Sequence, residues 1–235
     1  MFIKEYEIDV ILPKEIFRKY KMDTIAYLDI EATGFDFERD KIVLISLGYY
    51  LNEDQFKIVQ YFAESPCEEE RILKELKKSM NNFEKWCSYN GTAFDEPFII
   101  RKMSRFNLGF RLPSEHIDLF KIIRPFHKKM GMKNCSLKTV EKFTGIKRRD
   151  EINGARSVEI YNEYLVNHDE KLKEILMLHN YEDVLNLPKI FKVINTIEND
   201  LDLKRKEKSA KKQMSLINNN VNTNQPLKVV NIQLS

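Results

Sequence analysis

The sequence predicts an α/β fold with a mixed central β-sheet flanked by α-helices. Strand patterns and helix patterns alternate along the chain, as they do in folds that cover a sheet with helices. Only 7 of the 235 residues are glycine, and Gly34 and Gly91 each follow closely on a predicted strand whose end carries acidic or amide side chains. Open α/β sheets place their functional sites at such strand ends.

Five segments have the pattern of strands. Segments 41–51 and 55–62 are rich in β-branched and aromatic residues, and the second alternates apolar with polar positions. Segments 25–30 and 85–89 are short apolar runs, and 115–117 is a shorter candidate.

Five segments have the pattern of helices. Ser65-Pro66-Cys67-Glu68 resembles a capping box with proline in the first helical turn and predicts a helix over 65–80. Pro97 predicts the start of a second helix over 97–107. Apolar residues spaced three and four apart predict three more: 136–143, 157–166 and from 171 onward. Pro188 is expected to break or kink the last of these helices.

The charge distribution divides the chain into three parts. A folded domain over 25–202 is expected, preceded by an extension over 1–24 that packs on it and followed by a tail over 203–235. The tail carries seven Lys/Arg and one Glu, so the net charge of +3 conceals an acidic remainder. Its polar, Asn-rich composition predicts disorder. The cluster 204–212 either contacts nucleic acid or is the solvated end of a helix.

Composition excludes two classes of protein. No apolar run approaches the ~18 residues of a membrane span, and the N-terminal residues lack the pattern of a signal peptide. Cys67, Cys87 and Cys135 are odd in number and form no CxxC pair, so neither a disulfide framework nor a cysteine zinc site is expected. Reduced thiols and a cytoplasmic location are the interpretation.

A pair of carboxylates ends the first predicted strand. Asp29 and Glu31 are two residues apart, so in an extended chain both project from the same face. Two neighbouring carboxylates repel each other unless a cation lies between them, and Mg²⁺ is a cation that accepts carboxylate oxygens. The alternative is an exposed strand end with two solvated acids.

Three motifs favour a cation site at Asp29 and Glu31 over two solvated acids. YLDIEATGF (27–35) resembles the first motif of the DEDD, or DnaQ-like, 3′–5′ exonucleases of the RNase H-like fold. Asn90-Gly91-Thr92-Ala93-Phe94-Asp95 matches the Asn-x3-Phe-Asp of their second motif. His179-Asn180-Tyr181-Glu182-Asp183, on a predicted helix, resembles the third. The order of the motifs and their spacing also agree with this group.

A closer resemblance covers about 25–197. SLKTVEKFTGIKRRDEINGARSVEIYNEYL (136–165), NYEDVLNL (180–187) and HIDLF (116–120) are similar to the YprB-type RNase H-like exonucleases. This similarity implies the fold and the class of chemistry without a defined substrate.

The resemblance also implies a set of ligands and a cofactor. Two ions, Mg²⁺ or Mn²⁺, would neutralise charge in phosphodiester hydrolysis. By similarity, Asp29 would bridge both ions, Glu31 and Asp183 would hold the first, and Asp95 would hold the second.

The third motif departs from the group in one position. One subgroup has a catalytic His five residues before the last Asp, and the other has a Tyr four residues before it. Here Leu178 and His179 occupy these positions. Residues four apart share a helix face, so His179 is the preferred catalytic residue beside Asp183, with Tyr181 as the alternative.

A basic segment is the candidate for contact with the phosphate backbone. Residues 121–149 contain ten Lys/Arg and one acid. Lys138 and Arg148 are its candidate contacts, and Thr33 and Asn90 are candidates from the first two motifs. Asp118 either caps a helix that starts at Leu119 or lies near the metals, and the two roles are compatible.

The expected function is therefore metal-dependent 3′–5′ exonuclease activity on single-stranded DNA or RNA ends. The alternative is a catalytically silent RNase H-like module that binds nucleic acid or another protein. All four carboxylates are present, and this favours the enzyme. An endonuclease of the RNase H type is a weaker alternative, because the Asn-x3-Phe-Asp motif favours an exonuclease. A helicase or repair partner is possible, and no sequence feature identifies one.

Overall fold

A six-stranded β-sheet forms the centre of the protein, in a computed structural model that describes residues 1–110 and 112–222. The strands are β1 (Phe2–Asp9), β2 (Ile25–Ala32), β3 (Ile42–Tyr50), β4 (Gln55–Phe62), β5 (Lys85–Ser88) and β6 (Glu115–Asp118). Their order across the sheet is β1-β4-β3-β2-β5-β6. The pairs from β1 to β2 are antiparallel, whereas β2, β5 and β6 run parallel. The sheet is mixed, as predicted.

Seven α-helices accompany the sheet within the described residues. They are α1 (Lys14–Tyr20), α2 (Glu69–Met80), α3 (Asp95–Arg105), α4 (Leu119–Ile123), α5 (Leu137–Phe143), α6 (Gly154–Asn167) and α7 (Glu170–Asn222). Each helix in this part of the chain is too short or too polar to cross a bilayer. The mixed sheet and the helices that accompany it confirm the α/β fold class.

The core follows from the apolar patterning. β2 and β3 are buried along almost their whole length, as expected for strands in the middle of a covered sheet. Helix α2 buries one face, made by Ile72, Leu73, Leu76 and Met80, against β3 and β4. Full burial of such a side chain contributes roughly 1.5–3 kcal/mol relative to leaving it exposed.

Several boundaries differ from the sequence prediction. The N-terminal segment contains a full edge strand, β1, which pairs with β4 over eight residues. Helix α3 begins at Asp95, two residues before Pro97, because proline is tolerated within the first turn. Pro188 lies inside α7 and does not end it. It removes one backbone donor, while Leu187, Ile190 and Phe191 around it remain buried.

The chain divides into a unit over Met1–Ile194, which contains the sheet, and a unit that begins at Asn195. Within the second unit the described residues continue α7 to Asn222. The helix therefore passes through position 203, where the tail was expected to begin. Residues 223–235, which include the end of that tail, lie outside the described residues, and their expected disorder stays a prediction.

Asp118, at the end of β6, connects three neighbouring segments. Its Oδ1 accepts the backbone N–H groups of Asn90 at 2.9 Å and Phe120 at 3.1 Å, with Lys121 N at 3.4 Å. Its Oδ2 accepts both the backbone N–H and the hydroxyl of Thr92. Asp118 thus caps α4, as predicted, and also holds the turn that follows β5.

That turn requires glycine at position 91. A Cβ at Gly91 would lie 2.1 Å from Ser88 Oγ, so any side chain would displace the turn. The backbone of Asn90 adopts a left-handed conformation, with φ of 65°, which asparagine tolerates better than most residues. The turn leads directly into Asp95, so it fixes where that carboxylate lies.

We expect Asp118→Ala to destabilise the protein by more than the ~1 kcal/mol of an ordinary N-cap, because it leaves donors of two segments without their acceptor. The free energy of unfolding in urea measures this. Asn153→Ala is the matched control, since Asn153 caps α6 through the N–H of Arg156. Equal losses in the two variants would show that the 90–92 turn does not depend on Asp118.

Candidate active site

A cleft of about 420 Å³ lies at the end of β2, beside the turn after β5 and the first part of α7. The carboxylates predicted from the three motifs all line it, together with the predicted histidine: Asp29, Glu31, Asp95, Asp183 and His179. Residues separated by as many as 154 positions in sequence are therefore brought together in one place.

The two carboxylates from β2 are placed by the strand itself. Asp29 pairs in register with Ser46 of β3, and Glu31 pairs with Leu44. The register shifts between Glu31 and Ala32, because the partner strand β3 has an extra residue there, Val43. Bulges of this kind are common next to functional sites, where they redirect a side chain.

Asp95 is fixed to β2 from the opposite side of the cleft. Its Oδ1 accepts the backbone N–H of Ile30 at 3.1 Å, and its side chain is buried. Ile30 lies between Asp29 and Glu31 in sequence, so this hydrogen bond places the second motif directly against the first.

One face of helix α7 forms the third wall of the cleft. His179 and Asp183 are one turn apart, and His179 Nε2 lies 3.5 Å from Glu31 Oε1 and 3.6 Å from Asp183 Oδ2. Tyr181 lies elsewhere: its ring packs against Tyr6 of β1, with 4.6 Å between centroids. The structure therefore brings His179 into the cleft and leaves Tyr181 outside it.

Asn180, which the sequence analysis did not single out, connects α7 to the sheet. Its Nδ2 donates to Asp29 Oδ2 at 2.7 Å, and its Oδ1 accepts the hydroxyl of Ser46. Gln60 Nε2 donates to Ser46 Oγ at 2.8 Å and to the carbonyl of Met177 at 2.9 Å. This buried polar chain sets the position of α7 relative to Asp29. Asn180 adjoins His179 in the third motif, and that adjacency is the only signal in the sequence that could have pointed to it.

Burial of these carboxylates perturbs their ionisation. Removal from water, with the charges of Asp183, Asp95 and Glu31, raises the pKa of Asp29 well above its usual range. Burial and the charge of Asp183 raise the pKa of Glu31 to about 8, against the opposing effect of His179. Burial raises the pKa of Asp95 to about 7. The site therefore has too few positive charges to balance its carboxylates.

Arg148 partly compensates the negative charge of the carboxylates, although it is not among the residues that line the cleft. Its Nη1 lies 2.9 Å from Glu141 Oε1 and 2.5 Å from Asp183 Oδ1, and its Nε donates to Asp150. The side chain is only 7% exposed. Arg148 was expected to contact the nucleic-acid backbone, but its guanidinium is enclosed by buried carboxylates and is not on the surface of the basic segment.

Asp150 was missed by the sequence analysis. Its Oδ2 accepts His179 Nδ1 at 2.6 Å and Lys138 Nζ at 3.1 Å. Although burial opposes it, hydrogen bonds from His179 and Arg148 hold the pKa of Asp150 below its usual range. Burial lowers the pKa of His179, but the hydrogen bond to Asp150 and the charges of Asp183 and Glu31 outweigh this and raise it.

Two of the three remaining candidates line the cleft. Asn90 and Lys138 line the cleft, and Lys138 is 37% exposed although it also pairs with Asp150. The hydroxyl of Thr33 donates to Asp40 Oδ1 at 3.1 Å and accepts the N–H of Lys41, so it braces the loop after β2.

The donor set fits divalent cations. One ligand atom each from Glu31, His179 and Asp183 lies within 4.8 Å of the others. Asp29 and Asp95 add carboxylate oxygens at the same cleft, which is the chemistry that Mg²⁺ and Mn²⁺ select. A cation here would also offset the burial and the mutual repulsion that together raise the pKa values of Asp29, Glu31 and Asp95.

Solved structures that resemble this chain include the following three. The family B DNA polymerase of the hyperthermophilic archaeon Pyrobaculum calidifontis is 17% identical, with a TM-score of 0.57 over 72% of this chain and 24% of the polymerase. The chain thus matches less than a quarter of the polymerase in length. NrnC of Brucella melitensis is 14% identical over 92% of this chain and 94% of its own, with a TM-score of 0.46. Exonuclease I is 12% identical over 73% of this chain and 43% of its own, with a TM-score of 0.42.

Comparison at the level of sequence gives a family. No curated protein matches the chain significantly. The profile of the RNase H superfamily, however, matches residues 26–195, which include all four carboxylates and His179. The chain belongs to the RNase H superfamily.

Proposed function

We propose that the protein is a metal-dependent 3′–5′ exonuclease that hydrolyses phosphodiester bonds at the ends of single-stranded nucleic acid. The observation that carries this proposal is the meeting of four carboxylates and His179 in one cleft. Such a cluster is costly unless cations occupy it. The resemblance to DEDD exonucleases, and within them to the YprB type, supports the polarity.

The four carboxylates would hold two ions, Mg²⁺ or Mn²⁺. Asp29 would bridge them, Glu31 and Asp183 would hold one, and Asp95 would hold the other. When bound, two such ions neutralise charge on the phosphate and on the attacking and leaving oxygens. Asp183 can serve through Oδ2, because its Oδ1 pairs with Arg148.

His179 would act on the attacking water. Its Nε2 lies 3.5 Å from Glu31 Oε1 and 3.6 Å from Asp183 Oδ2. A neutral imidazole at this position can accept the proton of a water held between the ring and the phosphate. Asn180 would keep Asp29 oriented meanwhile.

Substrate would enter over the rim of the cleft. Phe35 is 66% exposed there, with its ring centroid 5.9 Å from that of Phe94, and offers a face on which a terminal base can stack. Lys138 and Asn90 are placed to contact phosphate or sugar. The lysines of the 121–149 segment would position the strand without reading its sequence.

The first expected outcome concerns Asp29→Asn. This change keeps the shape of the side chain and an acceptor for Asn180 but removes the bridging charge, so metal-dependent hydrolysis should be lost. The measurement is a product ladder from single-stranded DNA and RNA labelled at either end, with Mg²⁺, with Mn²⁺ and with EDTA.

Asp169→Asn is the matched control for this assay. Asp169 lies at the start of α7, is exposed, and accepts the N–H of Lys171, so its variant should produce the wild-type ladder. Full hydrolysis by pure Asp29→Asn protein would contradict the two-metal assignment. Products cut internally from both labels would indicate an endonuclease instead.

A second expected outcome concerns His179→Ala, which should lower turnover by roughly 10²–10⁴-fold, the range of a general base. Mg²⁺ binding, followed by calorimetry, should be largely kept because the four carboxylates remain. Tyr181→Phe is the control on the same helix and should leave turnover unchanged, since Tyr181 packs outside the cleft. Equal damage in the two variants would refute the assignment of His179.

A third expected outcome concerns stability and pH. Glu31, with a pKa of about 8, and Asp95, with about 7, keep their protons in the folded state at pH values where the unfolded chain has lost them. The raised pKa of His179 acts in the same direction. The free energy of unfolding in EDTA should therefore fall as the pH rises from 5 to 8, by about 1.4 kcal/mol per pH unit for each proton retained.

Urea unfolding at pH 5, 6, 7 and 8 measures this slope. The stabilisation from ionised Asp150 is already complete above its unfolded pKa, so it adds no opposing slope in this range. Mg²⁺ should flatten the curve, and Asp29→Asn should raise stability at pH 8 in EDTA. A flat or rising curve in EDTA would mean that the carboxylates are not mutually destabilising.

A further inference from the structure

We propose that Asp150 is a positioning residue for His179, holding the imidazole with its proton on Nδ1 and with Nε2 directed at Glu31 and Asp183. The inference rests on the proposed function, because it gives Asp150 a task at the same site. Asp150 lies in the segment between α5 and α6, outside all three motifs.

The first argument is the hydrogen bond itself. His179 Nδ1 lies 2.6 Å from Asp150 Oδ2, and both side chains are at most 5% exposed. Asp150 also faces the cationic donors Arg148 and Lys138. A carboxylate in that setting only accepts hydrogen bonds, so Nδ1 must be the donor. In the neutral ring the lone pair is then on Nε2.

The second argument is that Asp150 is itself held in place by α7. Glu182 Oε2 accepts the backbone N–H groups of Arg149 at 2.9 Å and Asp150 at 3.2 Å. Glu182 is three residues after His179 on the same helix. Glu182 of α7 therefore holds the backbone of the segment at Arg149 and Asp150. The side chain of Asp150 in turn forms a hydrogen bond with His179 of the same helix.

The third argument is that the contact with Asp150 is the shortest polar contact that the described residues make to the ring. Arg148 Nη2 lies 3.4 Å from the same Nδ1, which is too long to replace it. On its other edge, Nε2 is 3.5 Å from Glu31 Oε1 and 3.6 Å from Asp183 Oδ2, which is longer than a good hydrogen bond. The terminal torsion of histidine has a broad energy profile, so the ring could turn without its Nδ1 partner. Arg148 reaches both Asp150 and Asp183, so it sets the two carboxylates at a constant separation.

The experiment combines a tautomer measurement with kinetics. Ring ¹⁵N NMR of the full chain, at a pH where the ring is neutral, reports which nitrogen of His179 carries the proton; His179→Ala assigns its signals among the four histidines. We expect the Nδ1–H form in the wild type and its loss in Asp150→Asn, because an amide can donate to Nδ1 as well as accept from it. Asp169→Asn should keep the wild-type spectrum.

On the nuclease substrate, Asp150→Asn should lower kcat by roughly 10–100-fold with little change in KM, as for partners that orient a functional histidine. In the His179→Ala background the same change should have no further effect, since Asp150 acts through the ring. Thermal unfolding of each variant separates this effect from loss of the fold.

An Nε2–H form in the wild type would overturn the proposal. So would an unchanged spectrum in Asp150→Asn, or a double variant whose kcat falls by the product of the two single effects. A wild-type protein that hydrolyses no substrate would instead refute the proposed function, and the NMR measurement would still decide whether Asp150 holds the ring.

Discussion

Four carboxylates held in one partly buried cleft are the constraint on which the rest of the structure depends. Like charges at this separation destabilise a protein unless protons or cations neutralise them. Burial adds to this repulsion, and together they raise the pKa values of Asp29, Glu31 and Asp95 in the protein without added ions. Carboxylates with strongly raised pKa values cluster at functional sites, and this makes the cleft the candidate site of the proposed chemistry.

The same constraint explains the polar interior around the cleft. Asn180, Ser46 and Gln60 form a buried chain that connects α7 to β3 and β4 and ends on Asp29. Apolar packing alone would let a helix slide by fractions of an ångström, whereas hydrogen bonds between fixed donors and acceptors specify one position. Asp118 does the same for the turn before Asp95. The carboxylates are thus placed by groups that the protein buries and satisfies.

The sequence predicts some parts of this structure better than others. Local spacing in the sequence is enough to predict three features: the strand around Asp29, the three motifs and the cap at Asp118. β1 was not recognised as a strand, because an edge strand has weak apolar alternation and depends on its partner β4. The burial of Arg148 could not be predicted because a basic segment looks uniform in sequence, and only the tertiary fold shows which guanidinium is enclosed.

The histidine in the third motif links these observations. A tyrosine at this position would present a single polar atom to the cleft and would bury only its ring. Histidine at the same position has a second polar atom, Nδ1, that faces away from the cleft and must be satisfied there. Asp150 satisfies it, and the buried charge of Asp150 in turn requires Arg148. Arg148 also pairs with Asp183 and Glu141. The network of charged side chains therefore connects His179 back to Asp183, one of the four carboxylates of the cleft. His179 is therefore accompanied by charged residues, Asp150, Arg148 and Glu141, that lie more than 25 residues away in sequence.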